Sequence, residues 1–130
     1  MASIFSKIAQ GEIPCYKIAE TANCFAFLDA FPIREGHVLV IPKTETDYIF
    51  DLPDSTYNDL LEFAKTIAIA IKKAYPCKKV GMAVIGLEVP HAHIHLVPMN
   101  EVGDLNFSQP KLKLDPETLQ SCANSIVSFL

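Results

Sequence analysis

With 130 residues, half of them apolar and 20% charged, the chain has the size and composition of one ordinary globular domain and not of a disordered segment. A net charge of −4 without any Lys/Arg cluster argues against a generic nucleic-acid binder, although a small phosphate ligand needs only local donors. No apolar run approaches the ~20 residues of a membrane span, and the N-terminus carries Lys7 but no long apolar stretch, so a soluble, cytoplasmic protein without a signal peptide is expected.

Ser3 to Gln10 reads as a short helix stopped by Gly11 and Pro14. Cys15 and Cys24, with Cys77 and Cys122 further on, are too scattered for a C-x-x-C pair and read as free thiols. Tyr16 to Glu20 and Cys24 to Asp29 form a strand pair around Thr21-Ala22-Asn23. After a loop punctuated by Pro32 and Gly36, the β-branched run Val38-Leu39-Val40-Ile41 reads as a buried strand closed by Pro42. Asp54 and Ser55 are candidate caps for the longest helix, which runs to about Tyr75 and is stopped by Pro76. Its Leu60, Leu61, Ala64, Ile67, Ala68 and Ile71 repeat with the period of one buried helical face. Val80 to Leu87 and Ala92 to Val97 read as two more strands. After a loop, Asp115-Pro116 marks an N-cap followed by proline at the first helical position. The helix it opens buries Leu119, Cys122, Ala123 and Ile126. The expected architecture is α+β: an antiparallel sheet of about five strands, one long central helix, and short N-terminal and C-terminal helices. Residues 1–130 are expected to form one domain, with a core of about 3–100 and a C-terminal extension and helix over 101–130.

Three of the four histidines fall within five residues, His91-Ala92-His93-Ile94-His95. On a regular strand these three share one face, ~6.6 Å between neighbours and ~13 Å between the outer pair, while Ala92, Ile94 and Leu96 face the core. Three roles are open to such a row. It could be the polar face of an ordinary strand, a use that rarely selects histidine three times. A pair at i and i+2 could chelate a metal through bonds of ~2.0–2.1 Å, but the third imidazole cannot easily reach the same ion, and no carboxylate lies inside the run. The third role is chemistry on a phosphate. An imidazole with an ordinary pKa of ~6.5 can be a neutral nucleophile or a charged donor near neutral pH. One ring can attack phosphorus while its neighbours hydrogen-bond the oxygens.

The run His91-Ala92-His93-Ile94-His95-Leu96-Val97 fits the signature H-φ-H-φ-H-φ-φ, with φ apolar. In this the chain resembles the histidine triad (HIT) superfamily of nucleotidyl hydrolases and transferases. The resemblance covers residues 3 to about 98. Ile4 to Pro14 resembles the family's opening helix and turn, Ala26-Phe27-Leu28-Asp29 with Pro32 its nucleoside-binding strand, and Gly36 to Lys43 the strand that supplies a fourth histidine. The resemblance implies that His93 is the nucleophile of a covalent nucleotidyl intermediate, that His95 binds the phosphate and that His91 orients the nucleophile. His37 would stand beside the phosphate, Asp29 would accept the ribose hydroxyls, and Phe5, Ile8 and Phe27 would form the base slot. It further implies a purine nucleotide substrate, no cofactor and a homodimer with one continuous sheet. The short length places the chain nearer the Hint-like phosphoramidase branch than the dinucleoside-polyphosphate branch. A nucleotide-binding regulatory module with little turnover and a metal-dependent hydrolase are the rival readings.

The chain departs from the family pattern in three places. The hydroxyl that commonly precedes the histidines and contacts the leaving group is replaced by Glu88, in Gly86-Leu87-Glu88-Val89-Pro90. The stretch Val80 to Ile85 lacks the usual asparagine-containing loop. Ser3 and Ser6 stand where many bacterial relatives have a zinc-binding C-x-x-C. Hydroxyls are poor zinc ligands beside thiolates, so no structural metal is expected.

Overall fold

The computed structural model describes residues 2–130. Three α-helices are present: α1 (Ile4–Ala9), α2 (Asp54–Ala74) and α3 (Pro116–Val127). The five strands are β1 (Lys17–Glu20), β2 (Cys24–Leu28), β3 (Val38–Pro42), β4 (Lys79–Ala83) and β5 (Ile94–Met99). They form one antiparallel sheet in the order β1-β2-β3-β5-β4. The expected α+β architecture is the observed one.

The central strands are apolar on both faces because both faces are covered. On β2, Cys24, Ala26 and Leu28 alternate with Phe25 and Phe27, and all five are buried. On β3, Val38 and Val40 alternate with Leu39 and Ile41. The first member of each set packs under α2 and α3, against Leu60, Ile67, Ile71 and Ile126. The second set packs with Phe5 and Ile8 of α1 on the opposite face. Full burial of each large aliphatic or aromatic side chain contributes ~1.5–3 kcal/mol, so both layers hold the sheet.

The helix ends follow local chemistry. Ser3 caps α1 by accepting from the Ser6 backbone N–H. Asp115 caps α3 by accepting from the Thr118 N–H, with Pro116 opening the helix. At α2 the cap differs from the expectation: Pro53 occupies the N-cap and makes no side-chain bond, and Asp54 lies in the first turn. An acidic group there still favours the positive end of the helix dipole. The buried face of α2 also takes in Phe63 and Ala70 in addition to the expected positions, while Leu61 and Ala68 are only half-buried.

Two strand boundaries need correction. β4 stops at Ala83, not Leu87, and β5 starts at Ile94, not Ala92. The ten residues between are irregular, turning at Gly86 with φ +67°, a conformation that favours glycine. His91, Ala92 and His93 therefore precede the strand, only His95 lies on it, and the three histidines do not form a single row.

Candidate active site

His93 and His95 are brought side by side, with ring centroids 4.9 Å apart. His37, immediately before β3, joins them across the β3–β5 pair: its Nε2 lies 3.0 Å from His95 Nδ1. Gly36 makes this approach possible. It has φ +89°, and a Cβ there would meet Pro98 and Tyr75 at 3.0 Å. His91 is separate. It is fully buried behind the others, its ring directed away from them and toward α1.

Fixed hydrogen-bond partners settle the proton on each ring. The Pro42 carbonyl can only accept, so His91 carries its proton on Nε2, at 2.8 Å. The Nδ1 of His91 then accepts from the Ser3 hydroxyl at 2.7 Å. The His91 carbonyl accepts from His93 Nδ1 at 2.7 Å, which leaves His93 Nε2 unprotonated in the neutral ring. The Ile33 backbone N–H donates to His37 Nδ1 at 3.2 Å, so His37 Nε2 carries the proton and donates to His95 Nδ1. His95 is left with its proton on Nε2. The result is a bare nitrogen on His93 beside an N–H on His95.

The electrostatics hold the partners of His93 neutral. Burial pushes the pKa of His95 down to about 3, with smaller contributions from His37 and His93. Burial likewise pushes His37 down to about 4, helped by Lys111 and His93. His91 is lowered as well, again mainly by burial. Asp29 stands beside this group, one carboxylate oxygen 3.6 Å from His37 Nε2 and the other accepting from the Phe31 N–H at 2.9 Å.

A cleft of about 620 Å³ opens over these rings, within the range of small-molecule sites. Asp29, Phe5, Ile8 and Phe27 all line it, as do His93 and His95. The Phe5 ring packs edge-on to His93 at 4.9 Å and to Phe27 at 5.5 Å. Glu88 also lines the cleft while remaining exposed. All the residues expected from the sequence, except the buried His91 and His37, therefore border one cavity.

The HIT-domain family model matches residues 10–102. The chain belongs to the histidine triad family. An adenosine 5′-monophosphoramidase of Schizosaccharomyces pombe is 36% identical over 130 residues, covering 98% of each chain. Among solved structures, a Hit-like protein involved in cell-cycle regulation from Bartonella henselae superposes with a TM-score of 0.86 at 27% identity, covering 98% of this chain and 96% of that one. A zinc-bound histidine triad family protein from Mycobacterium smegmatis superposes with a TM-score of 0.80, also at 27% identity, covering 99% and 93%.

One part of the histidine triad site was not foreseen. Ser3 and Ser6 are not idle substitutes for thiols. The Ser6 hydroxyl donates to Glu45 Oε1 at 2.7 Å, the Ser3 backbone N–H donates to the same oxygen, and Ser6 Oγ lies 3.3 Å from His91 Nδ1. Those hydrogen bonds, the Ser3 backbone one foremost, hold the Glu45 pKa down to about 2. Two hydroxyls and a carboxylate do not fit a structural zinc ion, which favours thiolate and imidazole. They fit a hydrogen-bonded clamp that joins α1 to His91. Glu45 carried no motif that could have flagged it. A second cluster, Asp29, His37 and His95, offers ligand atoms within 4.8 Å of one another, but His37 Nε2 and His95 Nδ1 are already engaged with each other. Among the described residues, no buried side-chain nitrogen or oxygen lacks a partner.

Two outcomes follow from this geometry. Ser3→Ala leaves the buried His91 Nδ1 without its donor and removes the α1 cap, and is expected to lower stability by ~1–3 kcal/mol in urea titration; an unchanged midpoint would show that the clamp carries no energy. The lowered pKa values also set a pH dependence. Above about pH 6.5 His37 and His95 are neutral in both folded and unfolded chains. Below it the unfolded chain takes up protons that the folded one refuses, so stability falls as pH drops from about 6.5 toward 4. The same titrations on His37→Gln should show a shallower decline over that window.

Proposed function

We propose that this histidine triad protein is a nucleotidyl hydrolase or transferase that cleaves nucleoside 5′-phosphoramidates, or related nucleoside phosphate linkages, at the α-phosphorus. The observation that carries the reading is the hydrogen bond from His93 Nδ1 to its neighbour's carbonyl, because it presents Nε2 as a ready nucleophile. In this reading Nε2 bonds to phosphorus, the leaving group departs with its bonding pair, and water later cleaves the nucleotidyl-histidine. The His95 N–H stabilises charge on the phosphoryl oxygens, His37 holds His95 in the donating tautomer, and His91 orients His93. Asp29 takes the ribose hydroxyls, and a purine base lies among Phe5, Ile8 and Phe27. The phosphoramidase named in S. pombe supports this substrate class. Dinucleoside polyphosphates are the alternative substrate. Glu88, standing where the family commonly has a hydroxyl, favours one further reading, a nucleotide-binding module with little turnover.

The same reading includes one domain over residues 1–130, supported by the packing of α3 on α2, β1 and β2. It includes a cytoplasmic location, supported by four free thiols; among the described residues no helix is long and apolar enough to cross a membrane. It includes a homodimer. β4 is an edge strand, and Met82, Val84, Ile85 and Leu87 on and after it are exposed, the kind of apolar edge that pairs with a second copy.

Intact-protein mass spectrometry during turnover of adenosine 5′-phosphoramidate tests the chemistry. A transient nucleotidyl adduct is expected on the wild type and on neither His93→Ala nor His93→Gly. Faster turnover by Glu88→Ser would mark Glu88 as a leaving-group determinant. Nucleotide binding with neither adduct nor product would favour the binding module. For assembly, light scattering should give twice the chain mass for the wild type and a smaller value for Met82→Arg; a monomeric wild type would end the dimer reading.

A further inference from the structure

The segment between β5 and α3, most of which lies beyond the residues the family model matches, is fastened across the site. Arg34 pairs with Asp104 at 3.0 Å, Gln109 Nε2 donates to the Asp104 carbonyl at 3.2 Å, and the Leu112 N–H donates to the Pro32 carbonyl at 2.8 Å. Between these anchors the Phe107 ring packs 4.6 Å from that of His95 and 6.1 Å from that of His37. Four residues on, Lys111 lines the cleft together with His93, His95 and Asp29. Apart from imidazoles, Lys111 is the cation among the lining residues. Among the described residues no carboxylate forms an ion pair with it, and it is near enough for its charge to oppose protonation of both His37 and His95. An ammonium without an acidic partner, on the lining of a cleft that also holds imidazoles, is placed to engage an anion bound there.

We propose that Lys111 is a catalytic residue of this site, its ammonium hydrogen-bonding a non-bridging oxygen of the substrate's α-phosphate. The proposal rests on the nucleotide reading above and deepens it. Negative charge on those oxygens is stabilised through the transition state, so a cation placed there acts on the chemical step as well as on binding. The lysine makes no covalent bond and exchanges no proton.

Calorimetric titration with AMP and with adenosine, on wild type, Lys111→Met and Lys111→Arg, separates the phosphate contact from the nucleoside contact. Lys111 is exposed, so both variants are expected to melt as the wild type does. Lys111→Met should weaken AMP about tenfold, leave adenosine unchanged, and lower kcat/KM for adenosine 5′-phosphoramidate by at least as much. Lys111→Arg should recover most of both losses. If Lys111→Met binds AMP and turns over substrate as the wild type does, Lys111 is a solvated surface lysine and the proposal fails while the nucleotide reading stands. If the wild type itself binds neither AMP nor adenosine, the nucleotide reading fails and this proposal falls with it.

Discussion

The site depends on protons being held in place by the main chain. The Pro42 carbonyl, the His91 carbonyl and the Ile33 N–H each present a group whose hydrogen-bonding role cannot invert. Side-chain partners alone could not do this, because a hydroxyl or a second imidazole can switch between donating and accepting. With the backbone as reference, the tautomers follow in sequence: His37 fixes His95, and Pro42 fixes the ring against which Ser3 must donate. Burial then removes the remaining freedom by making the charged forms of His37, His91 and His95 costly. The chemistry of four rings is thereby set by the path of the chain around β3 and β5.

That path needs a sheet whose middle strands are covered on both sides. α2 and α3 seal one face, and the short α1 seals the other beside the cleft. Phe5 serves both purposes, closing the smaller apolar layer and packing edge-on to His93. A helix of six residues has little stability by itself. Its place is secured by packing and by the hydrogen bonds that Ser3 and Ser6 make to Glu45 and His91, so the fold's least autonomous element is fastened to the innermost histidine.

Much of this was legible in the amino-acid sequence, for physical reasons. The buried faces of α2 and α3 announce themselves because apolar residues recur at the helical period. The cap at Asp115 is visible because its side chain acts on a backbone N–H three residues away, followed by a proline suited to the first turn; Ser3, read as the first residue of α1, is its cap instead. The four histidines, Asp29 and the aromatic residues of the cleft came from the family resemblance; strand alternation put His91, His93 and His95 in one row, and the strand begins too late for that. What could not be read were contacts between distant segments. Glu45 is one charged residue in a loop until folding sets it against Ser3 and Ser6, forty positions earlier. Phe107 and Lys111 lie in a segment without periodicity, held by an ion pair and a backbone bond that no local pattern encodes. The strand boundaries at Ala83 and Ile94 were misplaced because the apolar residues Val84 and Ile85 continue past the first and the alternation of histidine with apolar residues begins before the second, and only the lost pairing partners end the strands.

The clamp around His91 has a consequence for the conditions under which the protein can work. Where thiolates and imidazoles gather a zinc ion, the alignment of neighbouring groups is tied to metal supply and to the redox state of sulfur. Here the same corner of the molecule is closed by serine hydroxyls, a carboxylate and a backbone N–H, none of which is oxidised or exchanged for another ion. The hydrogen bonds that orient His91 and the ring that leans on its carbonyl thus include no thiol to be oxidised. They are exposed instead to acid strong enough to protonate Glu45.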